Sequence, residues 1–548
     1  MEIQTFKKMQ KQALKSSQPD FIKIGFALFF MVAVLVYSFL SNGGIPNSMF
    51  LAVAALFGAY MAMNIGANDV ANNVGPAVGS KALTLGGAIV IAAIFEASGA
   101  FIAGGEVVKT IKKGIIDISA FGGNADPFIW AMMAAILAAA LWLSFATAVK
   151  APVSTTHSIV GGVMGAGIAA AGFSIVSWGT MGKIAASWVI SPILGGVIAA
   201  LFLFSIKKSI IFQKDRIASA KKYVPIFISV MALSFVTYLT LKGLKKIWPD
   251  IVSFINDFMF FTLPVTKKPS LVTALVFGLI IAVIVYVWAK KQINKNAHKL
   301  ENSRHSVNQL FTIPLIFAAA LLSFAHGAND VANAIGPLAA INDAVINGGI
   351  SSKAEIPFWV MAVGAIGISI GLALYGPKLI KTVGSEITEL DQMRAFSVAM
   401  AASITVIIAS QLGLPVSSTH IAVGGVFGVG FLREYLHVSD IKTVIEDEKE
   451  ILQDEKKLLR ALNHELFALE KKSEKEKSDY QRIIELYKMI EDEEIKIKEA
   501  KKIIKTAEKV KYVKRDAVKK IIAAWVITVP AAAILAAFLF YTIKGIMV

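Results

Sequence analysis

The chain contains no cysteine. Disulfides, thiolate metal sites and a cysteine nucleophile are excluded at once. Charge is scarce: Asp, Glu, Lys and Arg make up 17% of the 548 residues, against roughly 25% in an average soluble chain. Acidic residues are scarcer still outside one segment. Residues 433–520 hold 21 of the 38 Asp and Glu, which leaves 17 for everything else. So apolar a chain is neither disordered nor collagen-like. Hydrophobic residues account for 56% and the mean hydropathy is +0.65. Much of that content falls in runs near 20 residues, the length an α-helix needs to cross a bilayer.

The net charge of +17 is unevenly spread. Residues 433–520 hold 23 Lys and Arg against 21 Asp and Glu, a net of +2, so the remainder carries +15. Those basic residues cluster in short loops between apolar runs. Examples are Lys7, Lys8, Lys11 and Lys15, then Lys207, Lys208, Lys214, Arg216, Lys221 and Lys222, then Lys290, Lys291, Lys295, Lys299 and Arg304. Such loops mark the cytoplasmic side of a membrane protein, so the charge does not point to a nucleic-acid partner.

The apolar runs suggest an all-α polytopic protein with about 12–13 membrane segments, some of which, such as 419–432, are short enough to be re-entrant or broken helices. The expected organisation is an N-terminal cytoplasmic segment and uncleaved anchor (1–46), a first repeat (47–206), and a linker with two membrane helices (207–309). A second repeat (310–432), a charged helical insertion (433–520) and a final membrane helix (521–548) follow. The basic loops place the N-terminus and 433–520 inside. Leu458, Leu462, Leu466 and Leu469, with Ile483, Leu486 and Ile490, recur at helical spacing in that insertion. They suggest a helical hairpin or coiled coil, either a self-packed appendage or a regulatory or dimerisation element.

The chain is internally duplicated. GANDVANNVGP at 66–76 returns as GANDVANAIGP at 327–337, and PVSTTH at 152–157 returns as PVSSTH at 415–420. The offsets are 261 and 263 residues. A fainter echo joins IAASWVISP at 184–192 to IIAAWVITVP at 521–530. Each copy spans an odd number of segments, so the second starts on the opposite side from the first. Inverted-topology repeats are an architecture of secondary transporters, with the site near the midplane between them.

Asn68, Asp69, Asn72 and Asn73 interrupt apolar sequence, and Asn329, Asp330 and Asn333 repeat the pattern. Residues three and four apart share a helix face. An Asp at bilayer centre costs about 2.5–3.5 kcal/mol on insertion scales. Incurring that cost twice suits cation coordination or proton carriage at Asp69 and Asp330, with a polar clasp between the copies as the structural alternative. Gly66, Gly75 and Pro76 invite a helix break there, which would free carbonyls for a hard ion such as Na⁺. Ser154, Thr155 and Thr156, mirrored by Ser417, Ser418 and Thr419, follow a proline as they would at a helix N-terminus. Two such ends with free amides and hydroxyls could surround an oxyanion, or simply cap their own helices. His157 and His420 suit either ligand contact or an interhelical bond. No arginine lies near either motif, and Lys150 is matched in the second copy by Gly413. Co-bound cations would then offset the anion's charge and couple the two fluxes. Glu96 lies alone within an apolar span, which favours an ion or coupling role; the 261 offset pairs it with Pro357.

The doubled GANDVAN with PVSTTH and PVSSTH downstream resembles the inorganic phosphate transporter (PiT) family. The resemblance covers about 47–432 and the last span. It implies a symporter that imports inorganic phosphate with Na⁺, or with H⁺, by alternating access, usually as a homodimer in the cytoplasmic membrane. No cofactor is implied, and Na⁺ is the coupling ion expected first, with H⁺ left open. By resemblance, Asn68, Asp69, Asn329 and Asp330 are cation- and phosphate-site positions, and Ser154, Thr155, Thr156, Ser417, Ser418 and Thr419 are phosphate-site hydroxyls. Glu96 matches the family's acidic residue in the next span. Animal members carry a glutamate upstream of the second PVS motif, where this chain has Met400 and Ala401. Sulfate permeases share the family, so sulfate stands as the alternative substrate. Two readings outside transport make distinct demands. A membrane hydrolase using Asp69, His157, Asp330 and His420 around a metal needs unequal halves for acid and base roles. A receptor built around 433–520 needs no buried Asp in both copies.

Overall fold

The computed structural model describes residues 2–547 except 123–124, 150, 152, 246, 259–261, 263–265, 298–299, 350–355, 387–389, 473–475 and 508–514. Lys150, Pro152 and Lys299 therefore lie outside the described residues. Contacts divide the chain into two compact units, Met1–Val429 with Arg515–Val548 and Gly430–Lys514.

The first copy comprises α2 (Ser48–Gly79), α3 (Leu85–Ala103), α4 (Gly105–Lys113), α5 (Ala125–Ala148), α6 (Thr155–Ala171) and α7 (Trp178–Ile206), preceded by α1 (Glu2–Ser41). Then come α8 (Arg216–Tyr238), α9 (Trp248–Phe258), α10 (Leu271–Ala297) and α11 (Arg304–Leu310). The second copy comprises α12 (Thr312–Asn347), α13 (Phe358–Glu386), α14 (Gln392–Gln411) and α15 (Ser418–Glu470). The chain ends with α16 (Lys477–Ala507) and α17 (Arg515–Met547). Among the described residues, 11 helices are long and apolar enough to cross a membrane. That is fewer than the 12–13 runs in the sequence. The run 157–173 belongs to α6, which has 17 residues, about 26 Å at 1.5 Å per residue and short of a ~30 Å hydrocarbon core.

Each copy lends helices to the other. A Cβ added at Gly66 (α2) would collide with the Ile368 carbonyl on α13, and one at Gly327 (α12) with the Glu96 carbonyl on α3. The absent side chains let the backbones touch, as small residues do between membrane helices. The same exchange recurs at the other end. Gly424 on α15 meets Pro192 on α7, while Gly161 on α6 meets Val529 on α17. These contacts correct one register. Glu96 corresponds to Ile368, not to Pro357, because the end of α12 and the connection after it together shift the register eleven residues beyond the 261 offset.

The helix break expected at Gly75 and Pro76 is absent. Helices α2 and α12 run through their motifs with Pro76 and Pro337 inside them. The prolines still matter. Having no N–H, each leaves the carbonyl four residues back, on Asn72 and on Asn333, without its helical donor. One carbonyl per copy is freed with no break.

The unit Gly430–Lys514 has its own small core, with Leu462 and Leu466 against Leu486. Arg482 Nε donates to Glu465 Oε1 at 2.8 Å and Tyr487 OH to Glu470 at 2.8 Å across the helix pair. The Arg482 guanidinium holds the Glu465 carboxyl below its ordinary range.

Candidate functional site

Helices α6 and α15 begin at the second motif. Ser154 Oγ accepts the His157 amide at 3.1 Å and Ser417 Oγ accepts the His420 amide at 3.2 Å. Both serines thus cap their own helices. Four hydroxyls of the next residues point elsewhere. Thr155 Oγ1 donates to Asp69 Oδ2 at 2.9 Å, Thr419 Oγ1 to Asp69 Oδ1 at 2.8 Å, and Ser418 Oγ to Asp330 Oδ2 at 3.1 Å. Thr156 Oγ1 donates to the Val416 carbonyl at 2.9 Å. The carboxylate of one copy therefore receives hydroxyls from both.

The asparagines cross-brace this centre. Asn72 Nδ2 donates to Thr419 Oγ1 at 2.9 Å, and Asn333 Nδ2 to Thr156 Oγ1 at 3.1 Å. Asn68 donates to Thr147 at 3.0 Å and Asn329 to Ser410 at 2.9 Å, matching partners at the 263 offset. Asn68, Asn329 and Asn333 spend their N–H groups on protein and leave their oxygens over. Asn68 Oδ1, Asn329 Oδ1, Asn333 Oδ1 and Asp330 Oδ1 are buried and accept no hydrogen bond. Buried oxygens without donors are costly, and such a set of hard oxygens suits a cation.

Doubling of the motifs did not reveal His326. Its Nε2 lies 3.2 Å from Asp330 Oδ2 and 3.6 Å from Asp69 Oδ2, and its Nδ1 lies 3.3 Å from Glu96 Oε1. It is fully buried, as are both aspartates and Glu96. Asn73 Nδ2 also donates to Glu96 at 2.8 Å. Asp69, His326 and Asp330 place one ligand atom each within 4.8 Å of one another. The signal was present in the sequence: His326 stands four residues before Asp330, where the first copy has Ile65. Since Glu96 corresponds to Ile368, one copy supplies a histidine and the other a glutamate where their counterparts are both isoleucine.

His157 and His420 do not join this cluster. Their rings meet edge to face at 4.4 Å, His157 lies 3.8 Å from Trp188 and His420 stacks on Trp525 at 3.6 Å. Trp188 Nε1 donates to the Pro415 carbonyl at 3.1 Å. The two N-termini thus meet through an aromatic box beside the hydroxyls.

Two carboxylates within 4.8 Å repel by roughly 3 kcal/mol at an effective dielectric near 20. Positive charge among them relieves that repulsion, and two helix N-termini aim at the same point.

The sequence profile described as "Phosphate transporter family" matches residues 65–536. A Helicobacter pylori (strain J99) protein described as a candidate phosphate permease is 48% identical over 547 residues, 98% of each chain. A Thermococcus kodakarensis protein described in the same way is 38% identical over 385 residues, 70% of this chain and 89% of its own. Among solved structures, a sodium-dependent phosphate transporter is similar with a TM-score of 0.70 and 30% identity, covering 91% of this chain and 99% of that one. A polytopic membrane protein with this site and these relatives is a transporter and not an enzyme, and the chain belongs to the phosphate transporter family.

Proposed function

We propose that the protein imports inorganic phosphate together with Na⁺ by alternating access between two inverted copies in the cytoplasmic membrane. The observation that carries this reading is the meeting of Asp69 and Asp330, one from each copy, with hydroxyls of Thr155, Ser418 and Thr419 at two helix N-termini. Cation comes first. Asp69 and Asp330, with the oxygens of Asn68, Asn329 and Asn333 and the proline-freed carbonyls of Asn72 and Asn333, hold Na⁺. The bound charge then makes the centre attractive to phosphate, which takes the amides and hydroxyls of the α6 and α15 N-termini. Glu96 and His326 keep the carboxylate cluster in register. Ser154 and Ser417 fix the two helix starts, and His157 and His420 hold those starts against each other. The copies rock about this point and release inward, with the N-terminus and 433–520 on the cytoplasmic side and two chains paired as a homodimer.

A histidine set among three carboxylates favours keeping H⁺ as the second coupling ion to be tested. The test is labelled-phosphate uptake into proteoliposomes under an imposed Na⁺ gradient and, separately, an H⁺ gradient, with sulfate as competitor. Na⁺-driven accumulation unaffected by sulfate is expected. Accumulation under the H⁺ gradient alone would assign the same carboxylates to proton carriage. Entry of labelled sulfate in place of phosphate would overturn the substrate.

A further inference from the structure

A cavity of about 720 Å³ opens between α1, α2, α5 and α13. It is many times the roughly 30 Å³ share of one water molecule. Ala27, Leu28 and Met31 of α1 form one wall. The opposite wall is polar in an otherwise apolar bundle. Tyr60 OH and Ser144 Oγ are bonded, and Ser144 Oγ donates to Asn64 Oδ1 at 2.8 Å. Thr147, one turn on, is the acceptor for Asn68 of the site. Asn64 and Asn68 are one helical turn apart, so the polar residues form a ladder from cavity to centre.

The second copy has no such ladder. By the 261 and 263 offsets, Tyr60, Asn64 and Ser144 correspond to Leu321, Ala325 and Ile407, all buried. Met63, which lines the cavity, corresponds to Phe324. Phe324 is sealed by Phe235 at 5.2 Å and Tyr238 at 6.2 Å, both edge-on from α8. One approach to the site is lined by polar side chains, and the matching one is an apolar recess of about 320 Å³ lined by Leu321 and Phe235.

We propose that this cavity is the mouth through which phosphate and its coupling ion reach the site, that Tyr60, Asn64, Ser144 and Thr147 are the polar rungs along it, and that α1 is its outer wall. The proposal rests on the phosphate-symport reading and adds the route and the residues that line it. The rungs offer hydroxyls and an amide, which can accept from or donate to a hydrated ion of either sign without trapping it.

Because the chain has no cysteine, a single introduced thiol is the sole target of a thiol reagent. Met31→Cys, Asn64→Cys and Ala148→Cys are placed along the mouth, and Ala325→Cys marks the fully buried counterpart of Asn64. Each is reconstituted and treated with a charged, membrane-impermeant methanethiosulfonate from one side at a time. Mass shift and labelled-phosphate uptake are both read. The mouth variants should react from the same single side and lose uptake, and Ala325→Cys should stay unmodified. Phosphate with Na⁺, at about ten times half-saturation, should slow modification about tenfold at Asn64→Cys, because roughly one site in ten is then open. Independently, Asn64→Ala/Ser144→Ile, which installs the second copy's residues, should lower uptake about tenfold at equal protein in the membrane, as expected for losing one or two hydrogen bonds to a passing solute. Unreactive mouth variants overturn the proposal. So does modification that leaves uptake intact, which would make the cavity a lipid-facing recess. Untreated wild type is assayed alongside. Its failure to take up phosphate would overturn the earlier reading, whereas uptake with unreactive mouth positions would overturn the mouth alone.

Discussion

Asp69 and Asp330 each accept hydroxyls and lie against His326. Asn in place of either keeps the shape and removes the charge. Asp69→Asn and Asp330→Asn should each cut Na⁺-driven phosphate uptake by about a hundredfold, in line with roughly 3 kcal/mol for a buried charged contact, while the protein still reaches the membrane. Wild-type uptake in either variant would remove the assignment. His326 and Glu96 allow a sharper test. His326→Ile leaves the buried Glu96 with Asn73 as its remaining donor, and Glu96→Ile takes from His326 one of its three carboxylates. Each should cost about 3–5 kcal/mol in thermal unfolding. The double variant installs the corresponding residues of the other copy, the buried Ile65 and Ile368, and should recover most of that loss. Additive losses would show that the two residues do not act as a pair. These residues also mark the limit of sequence reading. The aspartates and asparagines were legible because they occur twice amid apolar residues. His326 was not, because searching for doubled positions passes over a residue whose counterpart is Ile65. Thr147 and Ser410 were hidden for a different reason: their meaning lies in contacts to Asn68 and Asn329 that only the fold reveals.

At the scale of helices, the sequence located where α6 and α15 begin, since Ser154 and Ser417 are strong capping residues. It misjudged α2 and α12, where a glycine–proline pair suggested a break. Tertiary packing overrides that local preference: both motif stretches are buried, packed against helices of both copies. Gly66 and Gly327 are what permit that packing. Gly66→Ala and Gly327→Ala should sharply reduce folded protein, because each new methyl meets a backbone carbonyl that cannot yield. Gly86→Ala in α3, with nothing within 4 Å of an added Cβ, should be neutral or stabilising by up to about 1 kcal/mol. Size-exclusion profiles of the detergent-solubilised variants provide the comparison. Equal recovery of Gly66→Ala and Gly86→Ala would contradict the close-approach argument.

For the molecule as a whole, composition alone established a helical membrane protein, and the duplication established two related halves. The register between α3 and α13 was beyond it, since a longer α12 and a longer loop after it together hide an eleven-residue shift. The charged unit Gly430–Lys514 packs Leu462, Leu466 and Leu486 into a core of its own, and no residue of the carboxylate centre comes from it. Replacing 430–514 by a short Gly/Ser linker should leave phosphate uptake per folded molecule within about twofold of the full chain, as for a surface change away from the site. Lost uptake in a well-folded deletion would assign that unit a part in transport.

The exchange of helices between copies also has a consequence for biogenesis. Gly66 waits for its neighbour Ile368, some three hundred residues further along the chain. At about 5–20 residues per second of synthesis, that interval is roughly 15–60 s. Throughout it, Asn72 and one carboxylate oxygen of Asp69 wait for Thr419, the second-copy hydroxyl that later satisfies both. The nascent first half is therefore a client for whatever shields polar surface in lipid, and a ribosome stalled before α13 leaves a fragment that membrane proteases should remove quickly.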